Sequence, residues 1–165
     1  MLFRSHGAGQ SDSASFDDAL ASLTAAGRDA VHGMSLLMPP AWERDEALSD
    51  DVRALFDHQA SIVEPWDGPA LVVFSDGRVV GAALDRNGLR PARYLVTSDD
   101  LVLVSSEVGV LDVDEARVVT RGRLGPGDVV LLDLERGTLY GRDAVHSDLA
   151  SRHPYAAWEI GRAHV

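Results

Sequence analysis

The chain has 165 residues, an apolar share of 45% and a formal net charge of −11, which fits one globular domain and speaks against wholesale disorder. The acidity excludes a nucleic-acid or anionic-membrane surface, because phosphate binding needs clustered basic side chains, and reads instead as a soluble, self-repelling surface. There is no Cys, hence no disulfide, thiolate metal site or thiol nucleophile within these residues, and no apolar run approaches the roughly 20 residues of a membrane span, so the cytoplasm is the expected compartment.

Residues 1–10 show no periodicity and read as a loop. Ser11-Asp12-Ser13 opens a helix whose Phe16, Ala19, Leu20 and Leu23 share one face. Gly27 is a stop signal, and a second helix covers Asp29 to Leu37 before Pro39-Pro40 ends it. Ser49, Asp50 and Asp51 start a third helix, with acidic groups at its positive end. It carries Val52, Leu55, Phe56, Gln59, Ala60 and Val63 at helical spacing up to Pro65.

Beyond the turn at Trp66-Asp67-Gly68-Pro69 the period changes. Ala70–Phe74 and Val79–Leu84 read as strands joined at Asp76-Gly77, a strong hairpin signal. Asn87-Gly88 offers another tight turn before a strand over Ala92–Val96, and Ser98-Asp99-Asp100 turns into Leu101–Val104. A further hairpin runs from Val129–Leu134 through Glu135-Arg136-Gly137 to Leu139 and Tyr140. Helices first and an antiparallel meander afterwards predict an α+β fold rather than alternating βαβ units.

Few segments suggest chemistry. His6, His32, His58, His146, His153 and His164 lack a helical metal-ligand spacing with carboxylate support and read as scattered surface histidines. Gly125-Pro126-Gly127-Asp128 resembles a phosphate loop only superficially. Pro126 has no N–H to offer and no Lys follows, so a turn into Val129 is expected. Asp112, Asp114 and Glu115 read as solvated charge. Asp12 has two readings: a helix N-cap, or a carboxylate that binds an ammonium group beside the helix start, with Ser11 and Ser13 orienting it. In the segment Asp85 to Tyr94, Gly88 supplies positive φ and Pro91 restricts Arg90 to extended backbone. Asp85, Arg86, Asn87, Arg90 and Arg93 crowd this corner, where carboxylate–guanidinium pairs are expected to pin a charged turn rather than to act directly in catalysis.

Leu84–Tyr94, LDRNGLRPARY, resembles a signature of the glutamate synthase large subunit. So do Glu64-Pro65-Trp66-Asp67-Gly68-Pro69-Ala70, Ser106-Glu107-Val108-Gly109, Ser151-Arg152-His153-Pro154-Tyr155, Pro40-Ala41-Trp42, and Ser11-Asp12-Ser13-Ala14 followed by Phe16-Asp17. The motifs occur in order and span about residues 9–158. The resemblance implies the C-terminal portion, residues 1–158, of a class II (type-2) glutamine amidotransferase domain, with a partial four-layer αββα N-terminal-nucleophile (Ntn) hydrolase fold. In that family an N-terminal Cys attacks the glutamine side-chain amide, and an Asn and a Gly N–H stabilise the oxyanion. Ammonia then passes to a flavin barrel, where 2-oxoglutarate is aminated and reduced to glutamate.

Of the family's ligand-binding groups, the resemblance carries over only Asp12, which it places on the glutamine α-ammonium. It implies no cofactor within these residues, FMN and a 3Fe-4S iron–sulfur cluster elsewhere in the full-length protein, and as partners the rest of the large subunit together with a small NADPH-dependent subunit or ferredoxin. With no Cys, and with Asn87 as the sole Asn, the chain is expected to be a fragment without glutaminase activity of its own. Residues 1–8 read as an arbitrary start. Glu159-Ile160-Gly161-Arg162-Ala163-His164-Val165 reads as a non-native tail, because one reverse translation of it resembles a sequencing adapter. Two other readings stay open: another class II amidotransferase, of the purine-pathway phosphoribosyl type, and a non-catalytic Ntn-like binding module.

Overall fold

A computed structural model describes residues 11–160, with the side chains of 159 and 160 left aside. The expected loop over 1–10 and most of the expected tail lie outside the described residues. The chain divides into two compact units, a helical one up to Trp66 and again from His146, and a sheet unit over Asp67–Val145.

In the helical unit, α1 spans Asp12–Ala25, α2 Ala30–Leu37 and α3 Asp50–Ala60. Each starts on a side-chain cap: Ser11 accepts from the Ala14 N–H, Asp29 from His32 and Ser49 from Val52. These caps satisfy otherwise orphaned helix donors. α1 ends where Gly27, at φ +90°, lets the Gly27 and Arg28 N–H groups turn back to Thr24 O and Leu23 O, the glycine-dependent closure of a helix C-terminus. α2 is buried over almost its whole length. It approaches α1 at Gly33, where a Cβ would lie 2.7 Å from Leu20 Cδ1. Leu55 and Phe56 of α3 are fully buried. Two further helices, α4 (Arg142–Ser151) and α5 (Tyr155–Ile160), follow the sheets. Leu149 of α4 and Tyr155 of α5 join the helical core.

The sheet unit corrects the expected single meander. Its strands β1 (Leu71–Ser75), β2 (Val79–Leu84), β3 (Arg93–Thr97), β4 (Val102–Ser105), β5 (Val118–Arg123), β6 (Val129–Asp133) and β7 (Thr138–Tyr140) form two antiparallel sheets, ordered β1-β2-β6-β7 and β4-β3-β5. β2 pairs with β6 rather than β3, because the Asp85–Gly88 corner carries the chain out of the first sheet into the second. β5 was not predicted, and a 3₁₀ turn at Glu115–Arg117 leads into it. Ala82, Leu84, Ala92, Leu124 and Val130 form a buried cluster on which Leu71, Tyr94, Val104 and Leu139 pack, so both sheets contribute to one core. The architecture is α+β.

Candidate functional site

Asp12 is the first residue of α1 and is exposed. It is not the cap; that role falls to Ser11, whose Oγ lies 3.3 Å from the Ala14 N–H and 3.2 Å from Ser13 Oγ. The cap needs extended backbone, and Ser11 has it at φ −75°, ψ 156°. Relieved of capping, the Asp12 carboxylate stands in the first turn of α1, at the positive end of the helix dipole. Its chain neighbours Ser11 and Ser13 turn their hydroxyls towards one another. Phe16, one turn on, is buried and meets Trp66 edge to face at 5.3 Å. Among the described residues the Ser15 hydroxyl and the Trp66 indole N–H are buried without a hydrogen-bond partner.

The LDRNGLRPARY segment is built around Asp85, which is buried. Its Oδ1 accepts from the Ala70 N–H at 3.2 Å and its Oδ2 from the Asn87 N–H at 3.0 Å. Its own N–H donates to Ala70 O, and its carbonyl accepts from Gly88 and Gly127, each at 2.9 Å. Asp85 thus works through backbone groups, tying the start of β1, the corner and the 125–128 turn together. Gly88 has φ +63°, and a Cβ there would lie 2.7 Å from Pro126 Cγ. Asn87, Arg90 and Pro91 are exposed and Arg86 is half-buried. At the facing turn, Asp128 Oδ2 accepts from the Gly125 N–H at 2.7 Å. The Asp128 N–H returns a bond to Gly125 O at 3.0 Å, so the glycine segment closes on itself as a turn.

The Ser151–Tyr155 motif has a structural account that its residues did not reveal. Arg152 donates to Asp29 at 2.6 Å and to Asp148 at 3.0 and 2.7 Å. His153, Tyr155 and Trp158 form a ring cluster with His58, with centroids 5.1 to 5.6 Å apart. The histidines are therefore less scattered than expected: His146 is buried, edge-on to Phe56 at 5.0 Å. Burial, then the neighbouring Arg28 and Arg152, hold the His32 imidazole below its ordinary pKa against the opposing pull of Asp29. Burial raises the Tyr155 phenol. His6 and His164 lie outside the described residues. Among the described residues no three His, Cys, Asp or Glu side chains converge as a metal site. No described helix is long and apolar enough to cross a membrane.

A groove of about 670 Å³ opens in the sheet unit, bounded by β3, β4, β5 and the segment from Glu107 to Val118. Arg93 faces Arg123 across the β3–β5 pair and Ser105 across the β3–β4 pair. This arginine pair went unnoticed in the sequence because β5, with its Arg121-x-Arg123 alternation, was not read as a strand.

Comparison with known proteins supplies what the geometry alone does not. The family model for class-II glutamine amidotransferases matches residues 4–158. The chain is 43% identical over 148 residues to the NADPH glutamate synthase large chain of Bacillus subtilis, covering 90% of this chain and 10% of that one. It is 48% identical over 151 residues to the chloroplastic ferredoxin-dependent glutamate synthase of Oryza sativa subsp. japonica, covering 90% and 9%. To the NADH glutamate synthase of Schizosaccharomyces pombe it is 43% identical over 151 residues, covering 91% and 7%. It spans a tenth or less of the length of these relatives. The chain belongs to the class-II glutamine amidotransferases.

Proposed function

We propose that the chain is part of the glutaminase domain of a glutamate synthase large subunit, in which glutamine supplies ammonia for the reductive amination of 2-oxoglutarate to glutamate. The observation that carries this reading is 41–48% identity to glutamate synthases over about nine-tenths of the chain. An α+β architecture with two antiparallel sheets sharing a core supports the αββα Ntn-hydrolase fold.

Within that reading Asp12 binds the α-ammonium of glutamine, and Ser11 and Ser13 set its surroundings. Its exposure at the helix start, with capping left to Ser11, supports the role. The attacking thiolate comes from outside these residues, which contain no Cys, as do the groups that stabilise the oxyanion. FMN and the 3Fe-4S cluster belong to the remainder of the large subunit. The residues present do not fit an iron–sulfur cluster, for want of thiolates. A small NADPH-dependent subunit or ferredoxin supplies the electrons; relatives named for NADPH and for ferredoxin match about equally well, and one named for NADH matches to the same degree.

The 165-residue chain alone therefore releases no ammonia from glutamine. A coupled assay on the purified chain checks this; turnover above a heat-killed control would overturn the reading that the nucleophile lies elsewhere.

A further inference from the structure

The groove is bounded by the β4-β3-β5 sheet and the segment from Glu107 to Val118, and Tyr94 and Gly122 are among its lining residues. Tyr94 and Val104 face the core. Their strand neighbours Arg93, Leu95, Leu103 and Ser105 line the groove, with Arg121 and Arg123 of β5 beside them. Arg121 is paired with Glu115. Arg93 and Arg123 are directly opposed in register, and among the described residues no carboxylate lies within ion-pair distance of either. Like charges directly opposed across strands repel unless an anion sits between them. Glu107 and Asp112 also line the groove but are exposed and engage neither guanidinium.

The floor is apolar, with Leu95, Leu103 and Val113, and the rim continues this character outward. Val108 is 78% exposed, Val110 58% and Leu111 49%. Val108 and Leu111 line the groove themselves, and exposed aliphatic side chains gathered beside an apolar groove are a feature of interaction surfaces.

We infer that this groove receives another segment of the same polypeptide, lying outside these 165 residues, in which apolar side chains flank an Asp or Glu that bridges Arg93 and Arg123. The inference rests on the reading of the chain as part of a glutamate synthase large subunit. In the matching relatives about nine-tenths of the length lies outside the region of similarity. Two unpaired guanidiniums select a carboxylate, which each can hold bidentately. A second copy of the chain is a poor occupant, because two surfaces of net charge −11 repel.

The test is hydrogen exchange on the complete large subunit that carries this domain, followed at amides 107–113. Expected is at least tenfold slower exchange in the wild type than in Arg93→Glu/Arg123→Glu, with the same release in the milder Leu111→Ser, which alters only an exposed side chain. Equal exchange in wild type and both variants overturns the inference. So does protection that appears only on adding inorganic phosphate, which would mean a free anion, or protection that grows with protein concentration, which would mean a second copy. Glutamate formation from glutamine and 2-oxoglutarate is measured on the same preparation. Its absence removes the parent reading, whereas its presence with an unprotected 107–113 segment removes this inference alone.

Discussion

Asp29 and Arg152, 123 residues apart, share one contact that closes the helical unit. Asp29 Oδ1 accepts the His32 N–H at 2.8 Å and so caps α2, while Oδ2 takes an Arg152 N–H at 2.6 Å. One carboxylate thus serves a local and a long-range purpose. Asp29→Asn keeps a capping oxygen and loses the ion pair, whereas Asp29→Ala loses both. We expect the Ala variant to be less stable than wild type by about 1–2 kcal/mol and the Asn variant by about half that, given partial solvent screening of the pair. Denaturant unfolding of the two variants checks the order; equal losses would show that the capping oxygen contributes nothing, and an Asp29→Asn variant as stable as wild type would show that the ion pair contributes nothing.

The Asp85 corner predicts a larger effect. Asp85→Ala strips acceptors from the Ala70 and Asn87 N–H groups at a buried position. A loss of roughly 2–4 kcal/mol is expected for two orphaned donors. Gly88→Ala at φ +63°, against Pro126, should cost about 1–3 kcal/mol. Thermal melts decide, and a near-neutral Asp85→Ala would remove the corner from the account of the fold.

Gly122 lies beneath the ring of its cross-strand partner Tyr94, and Gly81 beneath Phe74. In both pairs an aromatic ring covers the space a side chain would fill. Gly122→Ala forces the ring to move and should cost about 1–3 kcal/mol. In a Tyr94→Ala background the same change should cost much less, because the obstructing ring is gone. Additive losses in the double-mutant cycle would contradict this packing.

The lowered pKa of His32 sets a sign for acid stability. On acidification the unfolded chain takes up its proton first, near the ordinary value of about 6.5, while the folded imidazole resists. Stability is therefore lost as pH falls through the unfolded value towards the depressed folded one, and the loss levels off once both are protonated. The melting temperature of wild type should drop more steeply below about pH 6.5 than that of His32→Asn. Parallel pH profiles would show that His32 is not the group responsible.

The helices were legible because caps and a 3.6-residue period coincide at Ser11, Asp29 and Ser49, and the first hairpin because Asp76-Gly77 allows only a tight turn. Strand β5 escaped because Thr120, Arg121 and Arg123 are exposed and leave no apolar alternation to read. α4 escaped because its charged residues obscure the few apolar ones, although Val145 and Leu149 are buried. The division into two sheets was implied by the family resemblance alone, since the β2–β6 pairing joins residues that no local pattern links. At the candidate site, Asp12 stood out only through the family pattern. Local chemistry left capping and ligand binding open; Ser11 holds the capping place, and ligand binding by Asp12 rests on the family pattern. In the LDRNGLRPARY segment the charged side chains drew notice, but the recorded contacts of Asp85 run to backbone N–H groups.

The most direct test of the proposed function is the glutamine dependence of the complete large subunit with Asp12→Asn, compared with its use of free ammonia. Loss of a charged partner for an ammonium group corresponds to about 1.5–3 kcal/mol, or roughly a 10- to 150-fold fall in kcat/KM for glutamine. Ammonia-dependent glutamate formation should be unchanged. An unaltered kcat/KM for glutamine, or an equal loss with both nitrogen donors, would contradict the assignment of Asp12 to the glutamine ammonium.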